Sequence, residues 1–91
     1  MRIISIQLNK DCQILRVGGV SLTGVILTVK GFWGSLKTVK AFPTNHGVAS
    51  KNDVMMYYYF TDELGRELDD EISKQINAYL MIQKLLGTFD Q

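Results

Sequence analysis

The sequence predicts an α+β fold: an antiparallel sheet of four to six strands, flat or curled into a barrel-like form, followed by one C-terminal amphipathic helix. Three observations carry this. Short β-branched runs punctuated by Gly, Asn and Asp fill the chain up to Phe60. Beyond them, Ile72, Ile76, Tyr79, Leu80, Gln83 and Leu86 recur at helical spacing. And 91 residues are the size of one domain, so the expected organisation is a single unit, mainly β over residues 1–68 and helical over 69–87.

Arg2–Leu8 alternates, with Ile4, Ile6 and Leu8 on one side and Ile3, Ser5 and Gln7 on the other, as a half-buried strand does. Asn9-Lys10-Asp11 is a turn by composition, and Cys12–Val17 a second strand expected to pair with the first. Gly18-Gly19 breaks the chain. Val20–Lys30 reads as one long strand, with a bulge or bend at Gly24. "TVK" at Thr28–Lys30 returns at Thr38–Lys40 around Gly31-Phe32-Trp33-Gly34-Ser35, which predicts a hairpin. Pro43, lacking a donor, is expected to end that pairing, and Thr44–Asp53 to form a polar loop.

Val54–Phe60, "VMMYYYF", has no polar break, so both faces of that strand call for cover. A central strand, a dimer interface and a platform for nucleic-acid bases are the three readings. After it, a helix could begin at Thr61 or Asp62. The favoured alternative is a tight turn at Glu63-Leu64-Gly65-Arg66, a short strand near Glu67-Leu68, and a helix starting at Asp69 or Asp70. Gly65 would cost ~1 kcal/mol inside a helix, while an aspartate N-cap followed by acids suits the helix dipole. Gly87 fits the position after the helix. Ile82 and Leu85 fall off the centre of the apolar stripe.

Charge is unevenly placed. Residues 1–52 hold seven cations against Asp11 alone, a net +6; residues 53–91 hold three cations against eight acids, a net −5. Such asymmetry points toward partner binding. Cys12 is the only cysteine, which excludes an intramolecular disulfide and fits a reducing, cytoplasmic setting. "MRIISIQLNK" does not read as a signal peptide, and no run of ~18 apolar residues suggests a membrane span.

Catalytic and metal-binding patterns are missing. His46 is the only histidine, no Ser or Cys stands at a telling spacing from it, and Gly18-Gly19 lacks the Lys-Ser/Thr of a phosphate loop. The sequence therefore assigns no catalytic residue, no metal and no cofactor. It predicts a small regulatory or inhibitor-type interaction module, of the sort bacteria and phages encode, acting by protein–protein contact as a homodimer. Phe32, Trp33, Tyr57 and Tyr59 are the candidate contact residues, because aromatics dominate binding hot spots. The alternative is a small nucleic-acid-binding domain using the basic N-terminal sheet. There Lys30, Lys37, Lys40 and Lys51 would take phosphates and Trp33 would stack a base.

Overall fold

The computed structural model describes residues 2–17, 20–31, 33–49 and 56–88. Phe32, Lys51, Gly18-Gly19 and Val54-Met55 lie outside them. The elements are β1 (Arg2–Leu8), β2 (Leu15–Val17), β3 (Val20–Leu22), β4 (Val25–Lys30), β5 (Leu36–Ala49), β6 (Met56–Thr61) and α1 (Asp70–Leu85). Four strands form an antiparallel sheet in the order β1-β4-β5-β6, and β2 pairs with β3 in a separate two-stranded ribbon. One C-terminal helix follows, so the α+β class holds.

The first pairing differs from the sequence expectation. β1 pairs with β4, not with the segment after the turn. Asn9 explains the difference. Its side-chain Oδ1 accepts the Asp11 N–H at 3.1 Å and its carbonyl accepts the Cys12 N–H at 3.1 Å, while its own N–H donates to the Gly24 carbonyl at 2.9 Å. The chain therefore makes an excursion between Asn9 and Gly24 and returns to β1 through the longer β4. Gly24 is the bend: a Cβ there would lie 2.9 Å from Cys12 Cβ and Sγ. A register shift between Ile3 and Ser5 makes Ile4 a bulge. It turns Ile3 onto the core side with Ile6 and Leu8, and leaves Ile4 exposed.

β5 is a continuous strand shared between two neighbours. Its residues 36–41 pair with β4 and residues 42–49 with β6. Pro43 does not end the pairing, and the expected loop begins no earlier than the end of β5. The reason is parity. Phe60, opposite Pro43, turns its N–H and C=O away from β5, toward Ser73 Oγ and the Leu68 N–H. The pair is a non-hydrogen-bonded one, so the missing proline donor leaves no gap in the ladder. Further on, the register shifts between Pro43 and Gly47, and the Thr44 hydroxyl donates to the Tyr59 carbonyl at 2.9 Å. Gly47 sits under the Tyr58 ring; a Cβ there would meet Tyr58 Cδ1 at 2.8 Å.

The β4–β5 hairpin forms as expected, as does the turn after β6. Asp62 N–H bonds the Arg66 carbonyl at 2.9 Å, Gly65 takes φ +80°, and Thr61 bridges to Glu67. Asp69 caps α1, accepting the Ile72 N–H at 3.0 Å. Gly87, at φ +74°, closes it: Thr88 N–H bonds the Gln83 carbonyl and Gly87 N–H that of Lys84, both at 3.1 Å.

The core lies between α1 and one sheet face. Val25, Leu27 and Val29 of β4, Ala41 of β5 and Tyr58 and Phe60 of β6 meet Ile72, Ile76 and Leu80, with Leu22 from the ribbon beside them. β6 is not a central strand. It is a sheet edge, and α1 seals it. Asn77 Oδ1 accepts the Tyr58 N–H at 3.1 Å, Asn77 Nδ2 donates to the Tyr58 carbonyl at 2.8 Å, and Ser73 Oγ accepts the Phe60 N–H at 3.2 Å. One amide side chain thus bonds both backbone groups of a residue that, among the described residues, has no further strand beside it.

Ile76 is fully buried. Ile76→Ala should cost about 2–5 kcal/mol, a large part of a small domain's ~5–15 kcal/mol, read as a fall in the thermal midpoint. Asn77→Leu should cost about 1–3 kcal/mol for unpairing the Tyr58 edge; an unchanged midpoint would mean that the edge is stable without the amide.

Candidate functional site

Strand alternation divides the sheet into two chemically different faces. Val25, Leu27 and Val29 point to the core, so their neighbours point outward. Arg2 stands opposite Lys30, Ser5 opposite Thr28 and then Thr38, and Gln7 opposite Ile26 and then Lys40. The outer face of β1, β4 and the first half of β5 therefore mixes Ser5, Gln7, Thr28 and Thr38 with the apolar Ile26 and Leu36, and carries Arg2, Lys30 and Lys40. None of these three strands contains an Asp or Glu. Among the described residues, no salt bridge reaches Arg2, Lys30 or Lys40. Arg2 and Lys30 are on adjacent strands, and Lys40 lies four rungs along, roughly 13 Å away.

Lys37 does not join them. It pairs with Val29, a core-face residue, and lines a shallow groove of about 300 Å³ with Val39, Asp62, Leu64 and Arg66 on the helix side. The quartet expected from sequence is thus divided: Lys30 and Lys40 share a face, Lys37 leaves it, and Lys51 is outside the described residues. Arg2 takes the place of Lys37. Nothing short of the β1–β4 pairing could have shown that, since 28 positions separate Arg2 from its partner Lys30.

Trp33 stands at the end of this face. The hairpin closes on itself, with Gly31 N–H to the Ser35 carbonyl at 2.9 Å, Gly34 N–H to the Gly31 carbonyl at 3.1 Å, and Gly34 at φ +76°. The indole is left 95% exposed, next to the exposed Leu36. It does not fold back over the core.

Tyr57 and Tyr59 are half-buried on the outer side of β6. Their rings pack edge to face, with centroids 5.9 Å apart and planes at 78°, and Lys74 Nζ sits 5.4 Å from the Tyr57 centroid. Burial, then the Asp70 carboxylate, then Tyr57 and its hydrogen bond, and finally Glu67 push the Tyr59 phenol above its ordinary range. These rings are occupied by each other and by a lysine, in acidic surroundings. Tyr58 and Phe60, on the other side of the strand, belong to the core. The unbroken aromatic run therefore arises where an edge strand has one side in the core and the other under its own tyrosine pair.

Beside it, the Asp62 carboxylate accepts from Leu64 N–H at 2.9 Å, Arg66 N–H at 3.0 Å and Arg66 Nε at 3.0 Å. Partial burial acts to raise its pKa, but these hydrogen bonds and the guanidinium outweigh it and hold the carboxyl below its usual range. The turn is a structural knot.

The surface that sequence reasoning missed is on α1. Ile72, Ile76 and Leu80 face the core. Opposite them, Ala78, Met81, Ile82 and Leu85 form a second stripe at i, i+3, i+4 and i+7, continued by Leu86, and all five are exposed. Leu85 is 81% and Leu86 67% accessible. Leu86 is therefore not part of the buried stripe. At 100° per residue this second stripe is centred on the side directly away from the sheet. The spacing was present in the sequence, but the stronger Ile72–Ile76–Leu80 stripe masked it.

Among the described residues no cluster of three or more His, Cys, Asp or Glu side chains could hold a metal, and no helix is long and apolar enough to cross a membrane. Cys12 is half-buried against Gly24. No protein-family model, curated protein or solved structure matches the chain.

Because Trp33 is 95% exposed, Trp33→Ala should leave stability within about 0.5 kcal/mol of the wild type. Tryptophan emission should be that of a fully hydrated indole and open to collisional quenchers. A blue-shifted, protected emission would place Trp33 in a contact.

Proposed function

We propose that the protein is a non-enzymatic interaction module that works by protein–protein contact as a homodimer. The observation that supports this most is the outer stripe of α1. A helix anchored by one apolar face and apolar on the opposite one presents i, i+3, i+4, i+7 side chains, the pattern by which helices dock into apolar grooves. Its backbone is already ordered by the Asp69 cap and the Gly87 closure, which lowers the entropic cost of binding. Four long apolar side chains exposed together also exceed what a scattered surface residue explains. Leu85→Glu should leave the melting temperature nearly unchanged, since the side chain is exposed. A protein partner retained by the wild type and lost by Leu85→Glu supports the stripe; equal retention by both overturns it. The homodimer is tested by sedimentation, which should give twice the 10.3 kDa chain mass.

A second reading has its own observation: the outer face whose strands carry no acid, with Arg2, Lys30 and Lys40 in no salt bridge among the described residues and the exposed Trp33 at its end. Cations spaced along a sheet with a ring beside them suit single-stranded nucleic acid, phosphates on the charges and a base on the indole. Lys30→Glu and Lys40→Glu should weaken oligonucleotide binding and flatten its salt dependence by about one phosphate each. Lys37→Glu, on the opposite face, should have little effect. Equal losses for all three would mean diffuse attraction without a site. Trp33 fluorescence unaffected by oligonucleotide at low salt would remove the reading altogether.

A further inference from the structure

We infer that two copies of the chain join edge to edge through β1, which extends the sheet across a two-fold axis. This rests on the self-association proposed above and names its surface.

The two edges of the sheet are unequal. On β6, Asn77, Ser73 and Leu68 occupy the outward backbone groups of Tyr58 and Phe60. On β1, among the described residues, nothing does so. The Asn9 N–H donates to the Gly24 carbonyl, and antiparallel alternation then turns Gln7 and Ser5 toward β4 and Ile6 and Leu8 outward. Among the described residues no hydrogen bond reaches the outward N–H or C=O of Ile6 or Leu8.

Over Ser5–Leu8, β1 also lacks the usual devices that keep an edge from pairing. From Ile3 to Asn9 it has no charge and no proline. Its bulge, at Ile4, lies toward the start of the strand and leaves Ser5–Leu8 regular.

The sealed β6 identifies the occupant. Of the two outer strands of the four-stranded sheet, β1 is the one left open among the described residues, and its uncharged, regular Ser5–Leu8 stretch finds a match in the same stretch of another β1. An antiparallel β1–β1 contact uses the same patch twice and closes at two copies. Residues directly opposite in such a pair share a face. Ile6 and Leu8, each half-buried, come together on the core side, and Ser5 and Gln7 on the outer side. No like charges are brought opposite within that span. The helix stripe points away from the sheet and stays free, while the cationic outer faces of the two copies become continuous.

Amide hydrogen exchange on the wild-type protein, read together with sedimentation across a dilution series, tests this. Ser5 and Gln7 amides should be protected at every concentration, and Ile6 and Leu8 amides only where the dimer sediments. Ile6→Pro, which removes an outward donor that β4 does not use, should raise the dimer dissociation constant at least about ten-fold while β4 pairing keeps Gln7 protected. If that variant does not fold, the wild-type exchange pattern decides by itself. A dimer whose Ile6 and Leu8 amides exchange freely overturns the edge contact and leaves self-association to another surface. A monomer at every concentration overturns self-association itself.

Discussion

The contact between α1 and the β6 edge is the constraint on which the rest of the structure depends. A sheet edge exposes donors and acceptors that must find partners or water. Here a helix fills the role of a strand. Asn77 supplies both an acceptor and a donor to Tyr58, and Ser73 an acceptor to Phe60, while Leu68 takes the Phe60 carbonyl. The same stretch of helix buries Ile72, Ile76 and Leu80 on the sheet. Polar edge and apolar core are therefore fixed by one docking event. With that docking, the opposite side of the helix has nowhere to go but solvent.

Several surface features follow from this arrangement. One helix covers one face of a four-stranded sheet, so the other face must be chemically able to stand in water or to receive a partner. On β1, β4 and the start of β5 it does so with Ser, Thr, Gln and three cations around the apolar Ile26 and Leu36. On β6 it does so with two tyrosines packed edge to face under Lys74. The acids gather around the turn and the first turn of α1, where Asp62 and Asp69 cap backbone N–H groups. Part of the charge asymmetry between the two halves of the chain thus becomes a separation in the fold, with Arg2, Lys30 and Lys40 on the outer face and Lys37 among the acids of the turn.

β5 gives the sheet its shape. By pairing first with β4 and then with β6 it hands the sheet from one neighbour to the other, and its irregularity between Pro43 and Gly47 falls where β6 needs room for Tyr58. The proline is placed where the ladder has no use for its donor. A residue that reads as a stop in sequence is harmless when its pairing partner faces the other way.

Sequence alone determined the fold class, the β4–β5 hairpin and the end of α1 at Gly87. It favoured, without deciding, the turn at Glu63–Arg66 and a helix start at Asp69 or Asp70 over a longer helix from Thr61 or Asp62. Each rests on local chemistry: turn residues, caps and the left-handed freedom of Gly65 and Gly87. It also placed Trp33 at a hairpin tip. What it could not determine was which strands are neighbours. β1 joins β4 across the Asn9–Gly24 excursion, and a one-residue bulge at Ile4 then reverses which isoleucine faces the core. The membership of the cationic face depends on those pairings, so Arg2 entered it and Lys37 left it only in three dimensions. Likewise the Ile82–Leu85 stripe is visible as spacing, but periodicity cannot say which of two apolar faces a helix will bury. Tertiary packing decided that, because Ser73 and Asn77 lie on the same side as Ile76 and are the groups that match the open backbone of β6.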